Sequence, residues 1–587
     1  MKLHHQFLQL HARFGHNDGE GIIGVTLDEL AATLRCTHRN ALTVIHRMDA
    51  SGWIEWISRR GRGARSTLRF RVQPGEIAAQ SVMQAIDRKD VSLAIRDIRK
   101  HAGAASLQDQ LQGWLLSYFG HHAEIRRDRQ IDSLRLPIRQ PLNTVDPLKM
   151  NLLAESFVAS HVFDGLIRRA NATGEIVPGL AHAWETDDRG TTWTFYLRKG
   201  VLFHNGSLLT AEDVLYTFER LARSSRRSLY SAIFRQIRAV SALSSNTVRM
   251  ELKEPCELFL PCLCTTRAAI VPRNLDQRGE ERFGVRPVGT GPFKVAVMED
   301  DLCVLEAFPH YFQGQAHLDR IEIVHVPWEL SSKERAAGDT LSPFHVIPGQ
   351  ASAENGTWSE MHSQVSVRKF VTCNTRKAGP LSDPQIRAKV FAALQSGEAA
   401  AEVPAGVAAA VADAPAGSPA RQSAPEPDDS RSGSPLLIAT ITPYRPDADL
   451  VARRLEAAGY ACQVLSSSAE EFKGDIRLQS DLIVFSLLRD QDEQLRLYDL
   501  YQTISEHVEP HRQTDVHKQL RTLAREPGPE ARAGLFARME RQLIDGNELF
   551  ILSEKPLQTA YLPIVRGVTF NGQGWVDLRN LWFPPQL

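Results

Sequence analysis

No packed core can run through residues 397 to 435, and that one stretch decides how the rest of the chain must be organised. It holds twelve Ala and six Pro with no aromatic residue, and closes on PEPDDSRSGSP. Such a segment buries too little apolar surface to offset the entropy of ordering it, so a disordered Ala/Pro-rich insertion is expected there. Folded units must lie on either side. With 587 residues there is room for several, since one domain takes about 150. Outside the insertion the composition is ordinary, and over the whole chain it is 43% hydrophobic and 24% charged. That excludes a fibrous, wholly disordered or multi-span membrane chain. No run reaches the ~18–20 apolar residues that cross a bilayer.

Charge is balanced in total and uneven in place. From Arg35 to Arg71 nine arginines stand against Asp49 and Glu55, a local charge of +7 in a chain whose formal sum is zero. The same stretch carries a readable pattern. Residues 26–34 (TLDELAATL) predict a short helix with Thr26 as N-cap and Glu29 as its capping-box partner. After a break at Cys36, Thr37 caps a second helix, His38 to Ala50, whose Ala41, Ile45 and Met48 face inward. His38, Arg39, Asn40, Thr43 and Arg47 then lie on its outer face or first turn. Two helices with a short break are what a helix-turn-helix requires, the second presenting base-reading side chains to the major groove. Arg suits guanine edges and Asn suits adenine edges. Two alternating runs follow, Trp53–Ser58 and Ser66–Val72, with Arg59, Arg60, Arg62 and Arg65 around a Gly-Arg turn. That hairpin reads as a wing for phosphates or the minor groove, and makes residues 1–75 an α+β winged helix-turn-helix. A small helical bundle with a solvated basic hairpin is the competing description. Residues 76–132 read as a helical connector.

Beyond it the texture is mixed α/β. Thr194–Leu197 alternates at period two and turns at Arg198-Lys199-Gly200 into a second expected strand, Val201–His204. Thr210 and Asp213 form a capping box for a helix to about Leu221. Gly289-Thr290-Gly291-Pro292 makes a turn before a strand starting at Phe293. The segments VFDGLI (162–167), PGLA (178–181), TWTFYLRKGV (192–201), FHNG (203–206), LTAEDV (209–214) and GTGPF (289–293) occur in the order found in oligopeptide/dipeptide (family 5) solute-binding proteins, which this region resembles. The resemblance implies a two-lobed periplasmic-binding-protein-like domain, of the class with an extra subdomain, over residues 133–587. Its first lobe would take about 133–291 and 546–587, its second about 293–545. Joined to the N-terminal module, it resembles the SgrR family of bacterial transcriptional regulators. That resemblance implies control of metabolic or transport genes by a DNA-binding protein that senses a small solute of the sugar phosphate, sugar or peptide class. Its partners would be double-stranded promoter DNA and the small-molecule effector, with no membrane. A homodimer would suit paired half-sites, though no heptad marks one.

The alternative is the solute-binding component of an ABC-type transporter. The N-terminal twenty residues show no apolar signal region, so a cytoplasmic, reduced chain is expected. An enzyme is not expected: no Walker loop, dinucleotide fingerprint, HExxH or G-x-S-x-G is present, and His204 with Asp213 lacks a nucleophile. No cofactor or metal is called for, because the seven cysteines are scattered without finger spacing. Cys262 and Cys264 read as packing residues. Trp184, Trp193, Phe195, Tyr196 and Phe203 read as core of the first lobe in preference to a ligand pocket, and no ligand-contacting residue stands out.

Overall fold

The computed structural model describes residues 2–15, 22–59, 65–74, 76–77, 119–126, 129–138, 140–170, 173–224, 228–275, 279–325, 346–347, 359–396, 434–561, 565–571 and 574–584. Arg60, Arg62, most of the expected connector (78–118) and nearly all of the expected insertion (397–433) lie outside the described residues.

The N-terminal unit runs α1 (Lys2–Phe14), β1 (Ile22–Val25), α2 (Leu27–Thr33), α3 (His38–Ala50), β2 (Ile54–Ile57) and β3 (Ser66–Phe70). The Thr26–Glu29 capping box forms in both directions. Phe7, Leu10, Leu30, Ala41, Ile45, Met48, Ile54 and Leu68 make its core. The expected strand pair is present, and a third strand joins it: β1 pairs antiparallel with β3, giving the order β1-β3-β2.

The larger part contains three main sheets. The first is five-stranded, β12 (Phe293–Glu299), β13 (Leu302–Ala307), β14 (Arg320–His325), β5 (Arg129–Ile138) and β4 (Gly120–Arg126) in spatial order, with β14 and β5 parallel. Helix α4 (Leu153–Val162) and the C-terminal residues Val565, Trp575, Leu578 and Leu581 share its core. The second is four-stranded and antiparallel, ordered β10 (Ile237–Ser244), β11 (Thr247–Leu252), β9 (Thr192–Leu197) and β8 (Ala181–Thr186), with helix α5 (Ala211–Ala222) against it and the ribbon β6 (Ile167–Arg169)–β7 (Ile176–Pro178) beside it. The third is a mixed six-stranded sheet, β15 (Val346–Ile347), β20 (Leu549–Tyr561), β16 (Ser359–Cys373), β19 (Leu482–Arg489), β17 (Leu436–Ile441) and β18 (Cys462–Ser467), backed by α6 (Pro384–Ser396) and α7 (Arg445–Ala457).

Four expectations need correcting. Residues 293–325 are not in the second lobe, because β14 lies parallel on β5 and its Ile321 and Ile323 are buried with Leu134 and Leu136. The return to the first lobe does not begin at 546, since β20 lies between β15 and β16 in the six-stranded sheet. Residues 120–126 and 129–132 are strands of the first sheet and not helical connector. Val201–His204 is no strand: only Leu202 pairs, in an isolated bridge to Leu208. The helices α8 (Glu493–Ile504), α9 (Pro510–Arg525) and α10 (Pro529–Asp545) also bury Tyr501, Leu523 and Phe536 in one core with Phe195, Phe218 and Phe259 of the four-stranded unit.

Candidate functional site

Two places can carry function. The first is the outer face of α3. Thr37 caps the helix, its hydroxyl accepting from the Asn40 amide at 3.4 Å, and Ala41, Val44, Ile45 and Met48 are buried. The 3.6-residue period then forces Arg39, Asn40, Thr43 and Arg47 outward, and all four are exposed. Thr43 donates its hydroxyl back to the Arg39 carbonyl at 2.9 Å, which leaves its methyl facing out. Arg39, Arg47 and Arg59 carry no ion pair among the described residues, whereas His38 meets Asp28 at 2.7 Å and Arg65 meets Glu29 at 3.3 Å. The Glu29 carboxyl sits below its ordinary range, chiefly through the Thr26 backbone amide. The expected contact residues that are described therefore share one module, with two of the basic groups held by the acids that open α2.

The second place is a cavity of about 180 Å³ where the end of α4, β6, the start of α8 and the C-terminal segment meet. The GTGP turn reaches its wall through Pro292 and packs behind it on the end of α4. A Cβ on Gly289 would stand 2.0 Å from the Val162 carbonyl oxygen, and one on Gly291 2.6 Å from the Val162 carbonyl carbon. Only glycine lets this turn touch the end of α4, where the Gly291 amide donates to Val162 O at 2.9 Å. Thr290, between them, donates its hydroxyl to Asp164 at 2.9 Å, and the Tyr311 hydroxyl donates to the other Asp164 oxygen at 3.1 Å. Burial raises the Asp164 carboxyl above its ordinary range.

His204 belongs to this corner. Its Nδ1 accepts from the Gly289 amide at 3.2 Å, and its Nε2 lies 3.0 Å from the Gly291 carbonyl, so the neutral ring with the proton on Nε2 fits both. Burial lowers its pKa to about 4. His161 is likewise spent on structure, between Phe157 O and the Leu578 amide. Asp213 caps α5, receiving the Thr210 amide at 2.9 Å. The tempting His204–Asp213 pair is thus two separate structural devices.

Around the cavity two arginines pair with carboxylates. Arg169 donates to Asp492 at 2.8 Å, joining β6 to the start of α8. Arg579 holds Asp577 at 3.1 Å and Gln313 at 3.0 Å. Deeper in the fold Arg220 grips Asp146 through both carboxylate oxygens, at 2.8 and 2.5 Å. Asn151 reaches Glu470 at 2.6 Å and also accepts from Lys473. None of the five aromatic residues weighed above lines the cavity: Phe195 and Phe203 are core, and Trp184 and Trp193 pack against it. Cys262 is buried, while Cys264 reaches the cavity wall with its thiol pushed up to about 12 by burial. Sequence reasoning missed the wall residues Asp164, Arg168, Arg169 and Arg579. The one signal was the doubled arginine straight after VFDGLI.

Residues 2–122 match the family described as sugar transport-related sRNA regulator N-term, and residues 175–465 match bacterial extracellular solute-binding proteins, family 5. YhjP of Bacillus subtilis is 26% identical over 95% of this chain and 96% of its own length. The HTH-type transcriptional regulator SgrR of Yersinia enterocolitica is 26% identical over 66% of this chain, and that of Pectobacterium atrosepticum 28% over 56%. Those alignments span 63% and 55% of the two regulators. Among solved structures, the periplasmic binding protein DppA of Helicobacter pylori, in complex with the peptide STSA, superposes with a TM-score of 0.60 at 18% identity, over 77% of this chain and 98% of its own. That likeness shows the fold. The two family matches, in order and on the expected fold, give the chain the two-part architecture of the SgrR-type regulators, an SgrR-type N-terminal domain joined to a family 5 solute-binding domain.

Proposed function

We propose that this protein is a cytoplasmic, DNA-binding transcription regulator that senses a small solute in the cavity described above and controls metabolic or transport genes. The observation that carries the reading is the outer face of α3. Arg39, Asn40, Thr43 and Arg47 are all exposed on the second helix of a winged helix-turn-helix, and neither arginine has an ion pair among the described residues. Arg39, Asn40, Thr43 and Arg47, with His38 at the helix start, would read bases; Arg59, Arg60, Arg62 and Arg65 would hold phosphates or the minor groove. For a solute to act on DNA binding it must prefer one arrangement of the lobes, because equal affinity for both shifts nothing. The Arg169–Asp492 and Asn151–Glu470 contacts are the polar links that such a preference would make or break. Service to a transporter is not favoured, since it leaves the N-terminal module without a role.

Fluorescence anisotropy of the full chain against DNA from upstream of its own operon, over a salt series with random DNA as competitor, tests the reading. Binding that survives competitor, with a steep salt dependence, is expected. No binding even at low salt would sink it.

A further inference from the structure

The cavity wall has one charged side chain that the protein leaves without a hydrogen bond. Arg169 is spent on Asp492 and the Gly174 carbonyl, Arg579 on Asp577 and Gln313, His161 on Phe157 and Leu578, and Asp164 on two hydroxyls. Arg168 differs. It lies on β6 between Ile167, fully buried in the core, and Arg169, and it lines the cavity. Among the described residues its side chain makes no hydrogen bond or salt bridge, and its Nε is buried with no partner. Its charged neighbour is Asp164. Both Asp164 oxygens already accept a hydroxyl, and burial draws that carboxyl toward its neutral form.

The Arg168 side chain is half-buried, and its Nε, shut off from water with its donor unused, is costly unless something accepts it. The planar fork of a guanidinium matches a carboxylate or a phosphate, which can take two parallel hydrogen bonds. Size narrows the class further. The cavity, at about 180 Å³, lies below the ~300 Å³ where pockets for drug-sized ligands begin. That size suits a compact solute.

We propose that Arg168 is the anion anchor of the cleft, pairing with the carboxylate or phosphate of a compact solute. The proposal rests on the reading of the cleft as a solute site. Arg168 then sets specificity, while Arg169 and Arg579 keep the walls in place and bind nothing.

The test uses the full chain, thermal shift and calorimetric titration, and two matched sets of probes: glycerol, glycerate and glycerol 3-phosphate; glucose, gluconate and glucose 1-phosphate. At least one anion is expected to bind and raise the melting temperature, with its neutral parent without effect; the carboxylate and phosphate arms separate the two sources of charge. Arg168→Gln is expected to weaken that anion by about ten- to a hundredfold, as loss of a charge-assisted hydrogen bond does, and Arg168→Lys by less. The unliganded variants should melt with the wild type, because Arg168 supports no hydrogen bond; a structural arginine would fail this readout. Neutral and anionic probes binding alike, or Arg168→Gln binding as tightly as wild type, would overturn the anchor and leave the cleft reading standing. If none of the six probes binds wild type, the anchor and the compact-solute cleft both fall.

Discussion

The outer face of α3 and the wall of the cavity are both rich in arginine, yet they use it in opposite ways. On α3 the guanidiniums of Arg39 and Arg47 stand in water without ion pairs among the described residues. At the cavity and beneath it, Arg169, Arg220 and Arg579 are matched to carboxylates one by one. A charge left in water is available to a partner and contributes little to folding. A charge paired inside is part of the fold, and removing its mate leaves it uncompensated. Arg168 is the exception at the cavity, and it alone there resembles the α3 arginines in having nothing to hold.

The largest effect expected from this contrast is at Arg220. Asp146 is fully buried and Arg220 is 7% exposed, so Arg220→Ala strands a carboxylate in the interior. A loss of about 3–5 kcal/mol in unfolding free energy is expected, read by chemical denaturation. DNA affinity of the folded fraction should not change. A loss under about 1 kcal/mol would mean that the pair is solvated, and the contrast with α3 would fail.

A pH experiment probes the same interior. The His204 pKa of about 4 lies below the ordinary 6.5, so the unfolded chain takes up a proton that the folded chain refuses. Its contribution is complete above pH 6.5 and is lost as pH falls from there through 4. The gap corresponds to about 3 kcal/mol. His161 and His507 are lowered in the same sense and Asp164 is raised, with the opposite slope. Only the difference between wild type and His204→Gln isolates the ring: the variant should lose about one proton of the slope between pH 6.5 and 4. An unchanged slope would mean that the ring titrates normally.

On α3 the prediction reverses. Arg39→Ala and Arg47→Ala should each cost about 1–3 kcal/mol of binding to the matched promoter, if each reads a base. Unfolding free energy should stay within about 0.5 kcal/mol, as for a surface change. Anisotropy and denaturation on the same preparation separate the two regions.

The same contrast explains what could be read from the residues alone. α2 and α3 depend on caps three residues away and on a 3.6-residue period, so Thr26, Glu29, Thr37 and the buried Ala41, Ile45 and Met48 were all legible. β1 was not: its four residues (IIGV) take their meaning from Ser66–Arg69, more than forty positions on. The GTGP turn was legible as a turn, whereas its reason, close approach to Val162 O, lies across the fold. Arg220 finds Asp146 74 residues back, and β14 finds β5 across 187. Pairing at such distance leaves no local pattern, and for that reason both lobe boundaries and the cavity wall escaped.

The smallest effect is also the sharpest test of the solvated face. Of the two described arginines at the wing turn, Arg59 and Arg65, an acid already holds Arg65, through Glu29, and both side chains of that pair are exposed. An exposed pair of this kind is worth about 0.2–1 kcal/mol, and a DNA phosphate must compete with it. Glu29→Gln removes the competitor and keeps the capping box, because Gln can return the hydrogen bond to the Thr26 amide. The helix should survive, and DNA should bind tighter by about that 0.2–1 kcal/mol at low salt, with the gain fading as salt screens both contacts. If Arg65 instead stays on Glu29 in the complex, Glu29→Gln leaves affinity unchanged or weaker, and Arg65→Ala leaves the salt slope where it was. Arg65 would then belong with the paired arginines of the cavity wall, and the division between free and committed charge would run through the wing itself.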